Sequence, residues 1–317
     1  MAELTKAIAE EKPSVKPKKK SSTSRRSTGD IVFDVINTII LIVFTVIILY
    51  PLLNMVAISF NDGTDALRGG IYLWPRAFTT KNYSTVLSKQ SMPVAVRVTV
   101  LRTIIGTLSS TFVTALLAYI LSRKEFLFKK QLSLLYVITM YVSGGLIPVF
   151  LVYKKLNLTH SFWVYIIPGM VSAWNMLVLR TYMNGLPDSL AESAMMDGAG
   201  HLTIFFRIIL PLCMPVIATV SLFTAVYHWN SWFDVMIYNN GAKDANLTTL
   251  QFELQKLLSS VTNNSASAET MKEANNTVTP TTVRAAATVV TSLPIICLYP
   301  FLQRYFVAGL TIGGVKE

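Results

Sequence analysis

Three acidic residues of this chain lie within ten positions of one another: Asp188, Glu192 and Asp197. They stand between two strongly apolar segments. Asp188 or Ser189 can cap a short helix, and Glu192 follows Ser189 by three residues, which is the spacing of a capping box. Gly198 then ends the helix, because glycine adopts backbone angles that other residues avoid. Carboxylates placed in this way can accept hydrogen bonds from a partner protein or from the backbone of their own loop.

A second amphipathic run follows this turn. Its apolar residues recur at helical spacing and are Leu202, Phe205, Phe206, Ile209 and Leu210. Pro211 and Pro215 mark the entry to the next apolar segment. The sequence over 187–215 therefore predicts a helix, a sharp turn and a second helix, lying at a membrane surface.

The sequence contains no constellation typical of an enzyme. Its three histidines, His160, His201 and His228, are assigned to an outer turn, an inner loop and a membrane helix, so they cannot bind one metal together. A nucleotide-binding P-loop needs a Gly-Lys pair, and the chain has none. Cys213 and Cys297 lie in predicted membrane helices without metal-ligand spacing and are interpreted as small apolar residues. We predict a chain without catalytic residues, a metal or a cofactor of its own.

The composition indicates an integral membrane protein. Hydrophobic residues make up 52% of the chain and charged residues 14%, whereas a soluble domain of 317 residues would carry far more charge. Much of the net charge of +11 comes from residues 1–29, a predicted disordered basic tail. Basic residues favour the cytoplasmic side of a membrane, so the N-terminus is predicted to be cytoplasmic.

The basic tail has a second interpretation, which is binding to nucleic acid. Its basic residues are not interleaved with aromatic ones, and an apolar run follows at once. We therefore favour attraction to anionic membrane lipid and predict no nucleic-acid partner.

Six apolar stretches are predicted to cross the membrane, whose hydrocarbon core is about 30 Å thick. They cover about 31–57, 94–121, 132–153, 162–182, 212–233 and 283–301, so that 30–317 forms one all-α transmembrane domain with both termini cytoplasmic. The loop at 123–130 carries four basic residues, as expected of an inner loop. The long loop at 234–282 is then external. Arg97 and Arg102 lie near the outer end of the second span. They are predicted to extend their charged groups to the interface, and the alternative is a role facing the transport pathway.

The segment at 187–211 resembles the EAA loop of the membrane-spanning subunits of bacterial ABC importers. In that family, Glu-Ala-Ala is followed after three residues by Gly and, after nine more, by Ile-x-Leu-Pro. This chain meets the spacing throughout, with Glu192, Ser193, Ala194, Gly198 and Pro211. The serine replaces an alanine, a small-for-small change. The sequence Asp197-Gly198-Ala199 is the form common in carbohydrate importers.

Other segments also resemble carbohydrate-importer permeases. They are 73–87 before the second span, the sequence AYILSR at 118–123, the pair Trp229 and Asn230, and the ending from Phe306 onward. In that ending Gly314 and Glu317 stand where the family has Ala and Gly. The similarity covers nearly the whole chain after residue 30.

This resemblance implies the fold of a type I ABC importer permease of the maltose type, in a bacterial plasma membrane, with a cytoplasmic coupling helix. The residues implied to couple to an ATPase are Glu192, Ser193, Ala194, Asp197, Gly198, Ala199, Phe206 and Pro211. The implied partners are a second homologous permease subunit, an ABC ATPase dimer that holds ATP and Mg, and an extracytoplasmic solute-binding protein. The surrounding lipid is a further partner.

Sugar sites combine aromatic faces with amide and hydroxyl groups. The candidates for a substrate pathway are Trp174, Asn175, His228, Trp229, Asn230 and Trp232. The alternative for the tryptophans is an anchoring role at the membrane interface. The basic residues Lys81, Arg97 and Arg102 favour an acidic sugar only weakly.

Two other transport functions are weighed against carbohydrate import. One is an ABC importer for a peptide, an amino acid or a polyamine, against which the Trp-Asn pair argues. The other is a secondary carrier, which would need acidic residues inside the membrane. Asp34 is the only candidate for such a residue, and it lies near the inner end of the first span.

Overall fold

The computed structural model describes residues 28–263 and 278–312, so the predicted tail lies almost entirely outside the described residues. Within these ranges the chain is helical and has no strand, and its one isolated β-bridge joins Asn61 to Phe78. The prediction of an all-α chain is confirmed.

The helices are numbered in chain order. The α-helices are α1 Thr28–Ser59, α2 Gly63–Ala66, α3 Lys81–Leu87, α4 Ser91–Ser122, α5 Lys129–Tyr141, α6 Leu146–Lys155, α7 Ala173–Asn184, α8 Ser189–Met196, α9 His201–Ile204, α10 Leu210–Leu212, α11 Met214–Asn230, α12 Phe233–Tyr238, α13 Leu250–Asn263 and α14 Pro280–Ile312. Short 3-10 helices cover Phe162–Tyr165, Ile167–Gly169 and Ala242–Leu247, and Phe205–Ile209 forms a π-helical turn.

The chain divides into two compact units, Met1–Leu52 and Leu53–Glu317. The described part of the first unit is the beginning of α1, whose side chains are exposed and mostly apolar. A helix of 32 residues is about 48 Å long, which is more than the thickness of the hydrocarbon core. The second unit contains the remaining helices and the buried core.

Three helices of the described residues are long and apolar enough to cross a membrane: α1, α4 and the segment Pro280–Cys297 of α14. Three further candidates are bent pairs of helices. These pairs are Lys129–Tyr141 with Leu146–Lys155, Phe162–Gly169 with Ala173–Asn184, and His201–Leu212 with Met214–Asn230, bent by 119°, 43° and 82°. The described chain thus offers up to six spans if each bent pair counts as one.

The breaks have local causes. The third predicted stretch, 132–153, is interrupted after Tyr141, where Gly145 has a φ of 84° that glycine adopts readily. The fourth, 162–182, begins as 3-10 helix, and Pro168 lies in that part. The fifth predicted stretch, 212–233, corresponds to α11, which starts at Met214 and ends at Asn230, three residues before the predicted end.

Helix α4 lies at the centre of the second unit and packs against both α7 and α11, while α11 also packs against α14. Small residues allow the close approach. A Cβ added to Gly106 of α4 would lie 2.4 Å from Nε2 of His228 in α11, so only glycine fits there. Ala115 and Ala118 of α4 are buried in one cluster with Leu179 of α7 and Val216 of α11.

Candidate functional site

Helix α8 begins at Ser189 without the predicted capping box. The side chain of Asp188, at the N-cap position, accepts no hydrogen bond from the helix backbone. Its Oδ2 lies 2.5 Å from Nζ of Lys124, in the neighbouring loop, and this contact takes the place of the cap. The hydrogen bond and charge of Lys124 hold the pKa of Asp188 below its usual value and raise the pKa of Lys124. The pair joins the two loops on this side of the membrane domain.

The end of α8 is a Schellman motif, which requires a residue in the left-handed region. Gly198 has a φ of +80°. Its N–H donates to the carbonyl of Met195 at 2.9 Å, and the N–H of Ala199 donates to the carbonyl of Ala194 at 2.9 Å. Both alanines also pack against the buried core, which is the apolar contact that accompanies this motif. The predicted turn at Gly198 is therefore present and has a defined geometry.

Helix α8 buries one face and leaves the other free. Ala191 is 3% exposed and lies in a cluster with Leu179, Met183 and Phe205. Glu192, Ser193 and Asp197 are exposed, and Met196 is 88% exposed. Neither Glu192 nor Asp197 has a side-chain hydrogen bond to any residue within the described ranges. The helix thus exposes the carboxylate oxygens of Glu192 and Asp197 and the apolar side chain of Met196, while Ala191 is buried on its opposite face.

The chain that returns from α8 into the membrane is anchored by aromatic packing. Phe205 is buried and its ring centroid lies 5.2 Å from that of Tyr119 in α4. Phe206 stays partly exposed and stacks on Phe112 at 6.2 Å. The π-helical turn ends where Pro211, which has no N–H to donate, enters the next turn.

The six residues predicted for a substrate pathway do not form one cluster. His228 and Asn175 are buried, and Nδ2 of Asn175 donates to Oγ1 of Thr224, one turn before His228. The indole N–H of Trp229 donates to the carbonyl of Thr291 at 2.9 Å and so joins α11 to α14.

The other three pathway candidates lie in different surroundings. Trp232 packs beside the buried Tyr165 and Val235. Trp174 and Asn230 are exposed, and each leaves its side chain accessible.

Arg102 differs from its prediction. It is 1% exposed and does not extend to the interface, so the snorkelling prediction is wrong for this residue, while Arg97 is exposed. Both terminal nitrogens of Arg102 contact the carboxylate of Asp234 in α12, one of them at 3.1 Å. The guanidinium carbon lies 4.6 Å from the ring centroid of Tyr165. Asp234 is not among the residues predicted from the sequence, where its only signal is an acidic side chain next to a membrane helix.

These features together define a helical, polytopic membrane protein that holds a short rigid helix at one surface and has no metal-ligating cluster of His, Cys, Asp or Glu in its described part. Residues 21–312 match the model of the family described as "Binding-protein-dependent transport system inner membrane component". The chain belongs to this family, and the predicted permease fold and resemblance are confirmed.

Curated relatives match nearly the full length. The chain is 36% identical over 285 residues to the polygalacturonan/rhamnogalacturonan transport system permease protein YtcP of Bacillus subtilis (strain 168). The aligned region covers 90% of this chain and 98% of YtcP. It is 30% identical over 280 residues to the arabinooligosaccharides transport system permease protein AraQ of Halalkalibacterium halodurans, covering 85% of this chain and 92% of AraQ.

A solved structure shares the fold. It is the crystal structure of a bacterial ABC transporter involved in the import of the acidic polysaccharide alginate. One of its chains is 27% identical to this chain, with a TM-score of 0.79, and the match covers 90% of this chain and all of that chain.

Proposed function

We propose that this chain is a membrane-spanning permease subunit of an ATP-driven ABC importer for a carbohydrate. The observation that supports the proposal is the geometry of α8. One face of this helix is buried in the core through Ala191, and the opposite face is exposed. Family membership supports the transport role, since the family is an inner-membrane component that depends on a binding protein.

A lever must be stiff and attached to the elements that it moves. Ala191 of α8 is buried in one cluster with Leu121 of α4 and Met183 of α7, and the chain that leaves α8 is held by Phe205 against Tyr119. A push on the exposed side of α8 would therefore be transmitted to α4, α7 and α11 together rather than absorbed by the loop. This is the mechanical requirement for coupling a membrane pathway to an external motor.

The motor is proposed to be a separate ABC ATPase dimer, which would bind ATP and Mg. Met196 would enter an apolar cleft on the ATPase, and Glu192 and Asp197 would accept hydrogen bonds at its rim. An ATPase dimer has two such clefts, so a second homologous permease subunit would supply the other helix. The surface bearing α8 would then be cytoplasmic, as would both termini.

The proposed cargo is a carbohydrate, delivered by an extracytoplasmic solute-binding protein. The names of YtcP and AraQ and the alginate transporter structure all concern saccharides, which favours this class over peptides, amino acids or polyamines. Among the predicted pathway residues, Trp174 and Asn230 are the best candidates for contact, because their side chains are exposed. The indole N–H of Trp229 already has a partner within the chain.

Cross-linking tests the proposal. The two cysteines would be replaced by alanine, and a single cysteine introduced by Met196→Cys, at the exposed tip of α8. In the complex purified from the native host, we expect a benzophenone maleimide attached to this cysteine to photo-cross-link to a co-purifying ATPase, with a yield that changes when ATP is added. A Trp74→Cys variant, equally exposed in the loop before α3, is the control and should give no such adduct. Absence of the Met196→Cys adduct from an intact complex would contradict the proposal.

A further inference from the structure

A surface cavity of about 310 Å³ lies between the end of α4 and the start of α9. It is lined by Tyr119, Ile120, Arg123, Glu125, Phe126 and His201. The first three belong to the last turn of α4 and the residue that follows it, and His201 begins α9. The cavity therefore lies between the end of a membrane helix and the chain that leaves α8.

A buried hydroxyl group in the cavity wall has no partner. Tyr119 is 3% exposed, and its Oη forms no hydrogen bond within the described chain. A buried hydroxyl without a partner costs free energy, so such groups are rare unless a ligand or water satisfies them. The phenol O–H is a hydrogen-bond donor at neutral pH. Tyr119 thus brings to the cavity wall an O–H group that has no acceptor within the described chain.

Arg123 lies over the same ring. Its guanidinium carbon is 4.8 Å from the ring centroid of Tyr119. Nε and one terminal nitrogen donate to Oγ of Ser122, each at 3.2 Å, which leaves the donors of the other terminal nitrogen for a further acceptor. A stacked guanidinium next to a phenol hydroxyl is a donor pair suited to an anion with several oxygens, such as a phosphate group.

The charge around the cavity agrees with an anionic ligand. Glu125 is the one carboxylate in the lining, and it is exposed. Lys129 and Lys130 follow at the start of α5, and Lys124, which lies between Arg123 and Glu125, pairs with Asp188 outside the lining. Positive charge therefore exceeds negative charge at this surface. The exposed carboxylate of Glu125 can accept hydrogen bonds from hydroxyl groups of the same ligand.

Apolar surface continues from the cavity along the membrane helix. Ile120 lies in the lining and is exposed, and Phe112, two turns earlier in α4, is also exposed. In a bilayer, this surface would be at the depth of the acyl chains while Arg123 is at the depth of the headgroups. A ligand that has both an anionic head and an apolar tail matches this arrangement.

We propose that the cavity at Tyr119, Arg123 and His201 binds the headgroup of an anionic phospholipid such as phosphatidylglycerol. The phosphate accepts hydrogen bonds from Tyr119 Oη and Arg123, the headgroup hydroxyls donate to Glu125, and an acyl chain lies on Ile120. Basic pockets at the cytoplasmic ends of membrane helices are suited to such lipids. The bound lipid would join the end of α4 to the chain beside α8. The inference does not depend on which solute is carried.

The experiment measures phosphatidylglycerol binding to the full chain in its purified complex. The complex in detergent would be titrated with phosphatidylglycerol, and bound lipid would be counted by native mass spectrometry, with thermal unfolding as a second readout. For Tyr119→Phe we expect about tenfold weaker binding, since a hydrogen bond to a charged group is lost. Without lipid, the same variant should be as stable as the wild type or more so, because the unpaired hydroxyl is gone.

Matched controls separate the site from general effects of charge or ring chemistry. Tyr136→Phe removes a hydroxyl outside the lining. Lys130→Gln removes one exposed charge at the start of α5, whereas Arg123→Gln removes the charge that is stacked on Tyr119. Binding should fall strongly with Tyr119→Phe and Arg123→Gln, and only slightly with Lys130→Gln, whose charge lies outside the lining. Unchanged binding to Tyr119→Phe would overturn the proposal. So would inorganic phosphate or zwitterionic phosphatidylethanolamine giving the same stabilisation as phosphatidylglycerol.

Discussion

The guanidinium of Arg102 and the carboxylate of Asp234 form a two-point contact across 132 positions of sequence. Arg102 belongs to α4 and Asp234 to α12, which follows the fifth membrane segment. The same guanidinium lies against Tyr165, whose hydroxyl donates to the carbonyl of Leu247 at 2.7 Å. One ion pair thus fixes the relative positions of the central helix and two segments on the side of the domain away from α8.

Removing one partner of this pair should be costly. Asp234→Asn leaves the guanidinium of Arg102 buried without a counter-charge, and we expect a loss of about 3 kcal/mol in the free energy of unfolding. Arg102→Gln should cost less, because the carboxylate of Asp234 is 22% exposed and keeps some contact with water. The measurement is thermal unfolding of the purified chain in detergent, with the exposed Arg97→Gln as the matched control.

The double variant Arg102→Met with Asp234→Leu completes the test. It removes both charges and should recover much of the stability lost in Asp234→Asn, because a buried pair can be replaced by apolar residues at little cost. If Asp234→Asn unfolds at the same temperature as the wild type, the pair does not hold these segments together.

The loop at 187–211 could be predicted from the sequence because its determinants are local. A glycine that ends a short helix, a proline that restarts one, and apolar residues at helical spacing each act within a few positions. Gly198 at a φ of +80° is the clearest case. The partners of charged residues could not be predicted. The local sequence around an arginine in an apolar helix is the same whether its side chain reaches the membrane interface or pairs with an acidic residue distant in sequence.

Local signals also gave one wrong detail in that loop. The spacing of Ser189 and Glu192 is that of a capping box, yet the side chain of Asp188 contacts Lys124 and no side chain caps the helix. The Asp188 carboxylate pairs with Lys124, which is distant in sequence, instead of accepting a hydrogen bond from the nearby helix backbone. Which of the two contacts forms depends on how the two loops pack. The break at Gly145 shows the same limit, because a Gly-Gly pair indicates a weak point without giving the 119° bend.

Gly198 provides a sharp test of the turn. Gly198→Ala should cost about 1–2 kcal/mol in the free energy of unfolding, since an alanine is strained at a φ of +80° even though open space surrounds its Cβ. Gly198→Asn should cost less, because asparagine tolerates this region better. Gly200→Ala is the matched control, with a φ of −74° and no atom near the added Cβ, and it should change stability by less than about 0.5 kcal/mol. Equal unfolding temperatures for Gly198→Ala and Gly200→Ala would contradict the argument.

Glu253 makes the stability of the domain depend on pH. Its carboxylate is almost fully buried and accepts hydrogen bonds from Ser91 at 3.0 Å, Thr248 at 2.6 Å and Lys256 at 3.1 Å. Burial alone would raise the pKa of Glu253, but these three contacts outweigh it and lower the pKa below its usual value. Since Ser91 begins α4, the carboxylate ties α13 to the central helix.

The sign of the pH effect follows from the lowered pKa. The unfolded chain takes up a proton on Glu253 near its ordinary pKa of about 4.3, whereas the folded chain does so only at lower pH, so the stabilisation is complete above about pH 5 and lost below that range. At pH 7, Glu253→Gln should cost about 2 kcal/mol, because charge-assisted hydrogen bonds become neutral ones. The difference in unfolding temperature between wild type and variant should shrink as the pH falls from 7 to about 3.5. Glu192→Gln, at an exposed residue without a hydrogen-bond partner in the described chain, should show a small difference at every pH. A difference for Glu253→Gln that stays constant or grows on acidification would show that the carboxylate is not ionised in the folded chain.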